Sequence, residues 1–349
     1  MKKNNLTLII ILAVIAFLHF IFIYLFFVKN DAETSKPEPG PIPKPTVIMP
    51  SGNNPTLSDE PAAVHQKKKY PRQNERFDYA KCVSGKLNAV PEIKFIRNGI
   101  LVNVDTGKVL WASGPREAVP IASMTKMMTL LIALKEIESR HIDMDTTVTV
   151  SRTAVLVKPT RAGLKPNDKI PLRKLLQSMI IKSANDSAMQ VAEFIGGTAD
   201  KFYEMMNAEA QALGMTSSAF FSPHGLPAST AKKDNRGSCE DMAILGNALM
   251  QYPQAREWVA TREFVFRGED TAKPEKFRNH NYLLNSKKCP GVDGIKTGFT
   301  QRAGFCITAS CERGGTRLIA VIAGCSDSKT RDELVKKLFN WGYARLGIK

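Results

Sequence analysis

Ser123 and Lys126 are the first residues whose types and spacing could carry out chemistry. They form an S-x-x-K pattern at the start of a stretch whose apolar residues recur with helical spacing. Residues three apart on a helix share one face, so the amine would lie within reach of the hydroxyl. If burial and nearby positive charge lower the lysine pKa, the neutral amine can take the hydroxyl proton. The same pattern occurs at Ser229 and Ser326, and taken alone it fits a helix cap equally well.

Two further short elements carry groups that could assist such a serine. Ser183 and Asn185 form S-x-N in a short stretch between two predicted helices, where they offer a second hydroxyl and an amide. Lys296, Thr297 and Gly298 lie on a predicted strand, where a cation and a hydroxyl could bind a carboxylate while the glycine lets a substrate backbone approach. Each element also has a plain structural interpretation, an N-cap for the first and a surface turn for the second.

Other common catalytic patterns are absent from the sequence. It contains no G-x-S-x-G elbow, no H-E-x-x-H helix and no glycine-rich phosphate loop. None of the six cysteines forms a C-x-x-C pair, so we predict no metal site. Six cysteines allow about 15 full disulfide pairings, and the spacing does not choose among them.

The elements that must position these residues form strands at both ends of a long helical block. Alternating, β-branched runs predict strands over 99–104, 108–112, 291–300, 304–310 and 317–324. Helical spacing follows residue 123, recurs in runs over 172–181, 187–195, 199–213 and 240–251, and returns over 329–343. Because the strands from both ends must meet in one sheet, we predict an α+β fold. It would be an antiparallel sheet of about five strands flanked by helices, with an inserted all-helical subdomain.

The first part of the chain predicts a location. Residues 6–28 form an almost unbroken apolar run, long enough to cross a bilayer and without a small-residue cleavage site. Two lysines precede the run and one follows, which favours a cytoplasmic tail over 1–5 and an uncleaved anchor over 6–28. Residues 29–87 are rich in proline and basic residues and predict a tether. The rest of the chain would lie in the periplasm or outside the cell, so the net charge of +16 does not indicate nucleic acid.

The order of the three elements gives a stronger signal than any one of them. Residues 123 and 183 are 60 apart, and 183 and 296 are 113 apart. With the segment 221–226, which reads FSPHGL, these motifs make residues 88–349 resemble the low-molecular-weight penicillin-binding proteins, which are serine D-alanyl-D-alanine carboxypeptidases. The resemblance implies a fold like that of β-lactamases and transpeptidases.

The resemblance also assigns catalytic roles. Ser123 would attack the carbonyl between the two terminal D-alanines of a peptidoglycan stem peptide, with Lys126 as the base. Ser183 would relay a proton to the leaving amine, and Asn185 would hold the acyl side of the substrate. No metal or organic cofactor is implied.

Five further residues would bind substrate according to the same resemblance. Lys296, Thr297 and Arg331 would bind the leaving carboxylate, and Gly298 would admit the substrate backbone. The backbone N–H groups of Ser123 and Phe299 would hold the oxyanion. Phe299 stands where many relatives have a histidine, so side-chain chemistry at that position is not expected.

The resemblance implies peptidoglycan stem peptides as substrates and β-lactams as covalent inhibitors, with the membrane contacted through the N-terminal helix and no nucleic acid as a partner. A D,D-endopeptidase that cuts cross-links or a serine β-lactamase would use the same residues. A catalytically silent wall-binding protein is a further alternative, against which the intact Ser123, Lys126, Ser183 and Lys296 argue. The glutamate element that class A β-lactamases use in deacylation is missing after Ser183.

Overall fold

The computed structural model describes residues 77–285 and 287–348. The strands are β1 Val83–Ser84, β2 Asn98–Asn103, β3 Lys108–Ser113, β4 Val119–Pro120, β5 Thr147–Thr149, β6 Lys169–Pro171, β7 Arg236–Gly237, β8 Glu263–Arg267, β9 Glu275–Arg278, β10 Val292–Thr300, β11 Gly304–Arg313 and β12 Thr316–Cys325. The α-helices are α1 Lys126–Ser139, α2 Arg152–Leu156, α3 Leu172–Ile181, α4 Asn185–Gly196, α5 Ala199–Ala212, α6 Cys239–Leu249, α7 Pro253–Ala260 and α8 Ser328–Arg345.

The main sheet joins strands from both ends of the described chain. Its order is β1-β3-β2-β12-β11-β10, so β12 pairs with β2 across the whole inserted part. All neighbours are antiparallel except β1, which runs parallel to β3. This arrangement agrees with the predicted α+β fold, and it leaves β10 at an edge where a substrate strand could approach.

Both faces of the sheet are buried. Alternate residues of β2 enter opposite apolar clusters, with Ile100 and Val102 on one side and Leu101 on the other. Helix α6 and the 3-10 turn before α1 cover the first face, and α8 covers the second. Gly342 of α8 lies so close to Leu101 that an added methyl group would be 2.8 Å from that side chain. The sheet is therefore a rigid support for the residues on β10.

The part of the chain between β3 and β10 was predicted to be wholly helical, but it is not. Besides α1 to α7 it contains three two-stranded sheets, β4 with β7, β5 with β6 and β8 with β9. None of these strands exceeds five residues. Strands this short have too few alternating positions to give a period of two, which explains why the sequence pattern did not predict them.

The folded part also begins before the predicted boundary at residue 88. Phe77 is buried, and Val83 in β1 pairs with Trp111 in β3. The Trp111 indole donates a hydrogen bond to the carbonyl of Gly85 at 2.8 Å. The last part of the predicted tether therefore belongs to the domain. The sequence pattern did not indicate this, because a two-residue strand leaves no periodic signal.

The predicted tail, membrane anchor and remainder of the tether lie outside the described residues. Within the ranges 77–285 and 287–348, none of the helices combines the length and the apolar character that crossing a bilayer requires.

Candidate active site

Lys126 forms the centre of a buried polar cluster at the start of α1. A 3-10 turn, Ala122–Thr125, leads directly into the helix and presents Ser123 beside the first helical residue. The Lys126 amine is wholly buried and donates to the Ser123 hydroxyl at 3.0 Å, the Asn185 side-chain oxygen at 2.6 Å and the His224 carbonyl at 2.8 Å. An ammonium would donate to all three groups, whereas the neutral amine keeps two N–H bonds for Asn185 and His224 and can turn its lone pair towards the Ser123 hydroxyl.

The surroundings of Lys126 favour its neutral form. Burial holds its pKa well below the ordinary lysine value, and the charge of Lys296 lowers this pKa further. The carboxylate of Asp186 acts in the opposite direction. A neutral amine 3.0 Å from a hydroxyl can accept its proton, which is the requirement for a lysine that activates a serine.

Ser183 and Asn185 lie where α3 ends and α4 begins. Ser183 adopts a left-handed backbone conformation with a φ of 65° and is 5% exposed. Asn185 is the first residue of α4, and its backbone N–H donates to the carbonyl of Thr160 at 2.8 Å. Its side-chain amide donates to the carbonyl of Pro159 while its oxygen accepts from Lys126. The sharp turn therefore brings the S-x-N element into contact with the S-x-x-K element.

Asp186 supports this arrangement and was not singled out from the sequence. Its buried carboxylate accepts hydrogen bonds from the backbone N–H groups of Ala162 at 2.8 Å, Gly163 at 3.0 Å and Leu164 at 3.2 Å. It also accepts from the N–H of Ser187 at 2.9 Å. One carboxylate thus holds an irregular loop against α4, next to the residue that contacts Lys126.

A second loop closes the cluster from the other side. The Thr129 hydroxyl donates to the carbonyl of Pro223 at 2.7 Å, one residue before the carbonyl that binds Lys126. Gly225 follows with a φ of 77°, and a methyl group there would lie 2.0 Å from the carbonyl oxygen of Ala122. Only glycine fits this position, so the loop can press against the turn that carries Ser123.

The imidazole of His224 has a structural role in this loop. Its Nδ1 accepts a hydrogen bond from the N–H of Leu226 at 3.1 Å. Burial and the charge of Lys126 lower its pKa to about 3, so the ring is neutral near pH 7. No catalytic role was predicted for this histidine, and its carbonyl, rather than its ring, contacts the lysine.

The third element lies on β10 and faces the same cluster. Lys296 is 2% exposed, and its amine donates to the carbonyl of Thr297 at 3.0 Å. Burial and the charge of Arg331 lower the Lys296 pKa to about 7. The charge of Lys296 lowers the pKa of Lys126 in turn, which places the two lysines in one site.

Gly298 brings β10 into direct contact with the turn at Ser123. A methyl group on Gly298 would lie 3.0 Å from the Ile121 carbonyl oxygen, 3.1 Å from the Ser123 backbone nitrogen and 3.2 Å from the Ala122 Cβ. The strand and the serine turn thus pack backbone against backbone.

Phe299 and Arg331 lie beside this site in different surroundings. Phe299 is half exposed, and its ring packs against Phe305 with a centroid separation of 4.3 Å. Arg331, in the first turns of α8, is 3% exposed and donates to Asp332 at 2.7 Å and to the Cys306 carbonyl at 3.4 Å. Its guanidinium is engaged within the domain, and carboxylate binding by Arg331 stays a prediction.

The three sequence elements therefore meet around Ser123 and Lys126, through the Asn185 amide, the charge of Lys296 and the backbone of Gly298. The cluster holds a hydroxyl, a buried amine of lowered pKa, a buried amide and an edge strand, and a proton relay by Ser183 stays a prediction. This arrangement is suited to acyl transfer through a serine ester, with a lysine as general base.

Comparison with known proteins agrees with this chemistry. Residues 88–327 match the S11 peptidase family, described as D-alanyl-D-alanine carboxypeptidase. The D-alanyl-D-alanine carboxypeptidase DacF of Bacillus subtilis is 34% identical over 249 residues, which are 71% of this chain and 62% of DacF. A D-alanyl-D-alanine endopeptidase of Pseudomonas aeruginosa is 30% identical over 210 residues, which are 60% of this chain and 65% of the relative. The chain therefore spans less than two thirds of the length of these relatives.

Solved structures agree with the fold. Penicillin-binding protein D2 of Listeria monocytogenes in an ampicillin-bound form has a TM-score of 0.63 and 27% identity, over 71% of this chain and 97% of that one. This likeness confirms the predicted fold, which resembles those of β-lactamases and transpeptidases. The chain belongs to the D-alanyl-D-alanine carboxypeptidase family of serine peptidases.

Proposed function

We propose that this member of the family is a serine D-alanyl-D-alanine carboxypeptidase that removes the terminal D-alanine from peptidoglycan stem peptides. The observation that carries the proposal is the wholly buried Lys126 amine, 3.0 Å from the Ser123 hydroxyl and fixed by Asn185. A lysine with three acceptors and a lowered pKa is poorly explained as a structural residue, because burying a charge is costly.

The reaction begins when the Ser123 oxygen attacks the carbonyl carbon between the two D-alanines and Lys126 takes the hydroxyl proton. The backbone N–H groups of Ser123 and Phe299 stabilise the oxyanion. The C–N bond then breaks, and Ser183 relays a proton from Lys126 or Lys296 to the leaving amine. Water hydrolyses the resulting ester and releases the shortened peptide.

Substrate binding depends on the edge strand β10. Lys296 and Thr297 bind the carboxylate of the leaving D-alanine, and the charge of Arg331 in α8 adds to the positive potential at Lys296. Gly298 keeps the strand close to Ser123, and Asn185 holds the acyl side of the peptide. The half-exposed Phe299 ring borders the same edge.

β-Lactams would act as covalent inhibitors, because they present a strained amide to the same serine. The ampicillin-bound form of penicillin-binding protein D2 supports this part of the proposal.

The test of reaction type compares two substrates. We expect the purified chain to release D-alanine from a pentapeptide faster than it separates cross-linked stem peptides, and Ser123→Ala to do neither. The P. aeruginosa relative named an endopeptidase makes cross-link cleavage the second candidate. Faster separation of cross-links than release of D-alanine would favour that candidate.

We further propose that residues 6–28 anchor the chain in the cytoplasmic membrane, with residues 1–5 inside and residues 88–349 in the periplasm or outside the cell. The apolar run and the lysines before it support this topology. Protease added to spheroplasts should release the domain by cutting the tether, and a protected domain would contradict the topology.

A further inference from the structure

The loop before β10 brings two of the six cysteines together. Val292 at the start of β10 pairs with Cys311 in β11, and the N–H of Glu312 donates to the Gly291 carbonyl at 2.9 Å. Gly291 turns with a φ of 86°, and the two residues before it, Cys289 and Pro290, lie against the end of β11, where the Cys311 thiol donates to the Pro290 carbonyl at 3.5 Å. Both cysteines are buried in the apolar cluster under α8, and the two thiols are neighbours there.

The two thiols differ in a way that favours reaction between them. The neighbouring Cys311 thiol and the charge of Arg313, whose guanidinium donates to the Cys289 sulfur at 3.5 Å, lower the pKa of Cys289. The nearness of Cys289, together with burial, raises the pKa of Cys311. Cys289 is therefore the more readily deprotonated of the two cysteines, and Cys311 is the thiol.

No hydrogen bond joins any of the other four thiols to a second cysteine in the described part of the chain, although Cys306 interacts electrostatically with Cys239 and Cys325. Cys306 and Cys325 lie on adjacent strands but in the apolar clusters on opposite faces of the sheet. Cys239 is buried in the same cluster as Cys306, whose thiol donates to the Ala303 carbonyl at 3.5 Å. The thiol of Cys82 donates to the Val83 carbonyl at 3.4 Å. Burial raises the pKa of all four thiols, which keeps them protonated.

We propose that Cys289 and Cys311 form a disulfide when the chain folds in the presence of a disulfide oxidant, either a low-molecular-weight disulfide or a thiol oxidoreductase. The Cys289 thiolate attacks a sulfur of the oxidant and displaces one thiolate from it. Cys311 then loses its proton, attacks the Cys289 sulfur and displaces the second thiol. The chain loses two protons and two electrons, and the oxidant's disulfide becomes two thiols. The new bond ties the loop before β10 to β11, seven residues before Lys296 along the chain.

The bond is tested by refolding. The full chain, in detergent, is unfolded with reductant and refolded in a mixture of reduced and oxidised glutathione, then quenched with acid, alkylated and digested without reductant. Mass spectrometry should find the Cys289 and Cys311 peptides joined, and the other four cysteines alkylated. Alkylation of both Cys289 and Cys311, or a bond from either one to a different cysteine, would overturn the proposal.

Variants and stability give a second readout. Cys289→Ser and Cys311→Ser should each abolish the bond, whereas the matched control Cys325→Ser should keep it. Reduction should lower the Tm of the wild-type chain by roughly 5–10 °C, and it should leave the Tm of the Cys289→Ser/Cys311→Ser double variant unchanged. Equal effects of reductant on both chains would also overturn the proposal. The proposal needs only the two thiols, so its failure is separate from failure of the proposed activity, which penicillin labelling at Ser123 measures.

Discussion

Gly298→Ala tests the contact between β10 and the serine turn. The added methyl group would lie 3.0 Å from the Ile121 carbonyl oxygen and 3.1 Å from the Ser123 nitrogen, both of them backbone atoms. Ordinary contacts of this kind are a few tenths of an ångström longer, so the turn must move by about that distance. Ala122 already has a φ of 47°, which leaves the turn little freedom to adjust. We expect a loss of about 1–3 kcal/mol in the free energy of unfolding, as for other overpacked sites.

The larger effect should fall on acylation. In the proposed mechanism the Ser123 nitrogen donates to the oxyanion, and small displacements of catalytic groups reduce rates by roughly 10- to 100-fold. The assay is the second-order rate of covalent labelling by a fluorescent penicillin, with Tm measured on the same preparations. Gly298→Ala should be labelled roughly 10- to 100-fold more slowly than the wild type.

Gly342→Ala is the matched control. Its methyl group would meet Leu101 at 2.8 Å and Leu318 at 3.0 Å, and both contacts are with side chains on the face of the sheet away from Ser123. This variant should change Tm by a few degrees and label at the wild-type rate. If Gly298→Ala labels at the wild-type rate with an unchanged Tm, or if both variants slow equally, the reasoning about the strand contact is refuted.

The remaining predictions concern charge. Lys296 has a pKa of about 7 in the folded chain, whereas an unfolded lysine keeps its proton to about pH 10, so unfolding takes up a proton between these values. The free energy of unfolding, measured by chemical denaturation, should therefore rise from about pH 7 towards pH 10. The rise should be steeper in the wild type than in Lys296→Met. An equal pH dependence in the two chains would contradict this pKa. The kcat/KM for a peptide with a free carboxylate should fall as Lys296 loses its charge above about pH 7. Lys296→Arg should move that fall to higher pH, because arginine keeps its charge. A fall at the same pH in this variant would show that Lys296 does not bind the carboxylate. Asp186→Asn leaves backbone N–H groups of the loop without an acceptor and should lower the free energy of unfolding by about 2–4 kcal/mol, measured by denaturant titration. The exposed control Asp200→Asn should lower it by less than about 0.5 kcal/mol. Equal losses in the two variants would show that the loop does not depend on Asp186.

Long periodic runs predicted the elements of this fold well. The helix over residues 172–181 has the predicted bounds, and the five longer strands of the sheet differ from their predicted ranges by one to three residues. The helices bury one stripe of side chains and the strands of the sheet bury two faces, and this burial marks both kinds of run with apolar residues. The seven shorter strands, β1 and β4 to β9, were missed because they contain two to five residues.

The candidate site was predictable for its side chains and much less for its backbone. Ser123, Lys126 and Asn185 have the types and order of a known family, and the structure brings them within hydrogen-bonding distance. The His224 carbonyl that binds Lys126 could not be predicted, because every residue has a carbonyl and sequence carries no mark of its direction. The role of Asp186 was hidden for a related reason, since its partners are backbone N–H groups of a distant loop.

The central claim is that Ser123 is the nucleophile and that Lys126 activates it. The most direct measurement is stoichiometric labelling of the purified chain by a fluorescent penicillin, followed by mass spectrometry of the labelled peptide. We predict one label per chain on Ser123, none on Ser123→Ala, and wild-type labelling of Ser326→Ala, whose serine occupies another S-x-x-K pattern. Labelling of Ser123→Ala equal to that of the wild type would contradict the account.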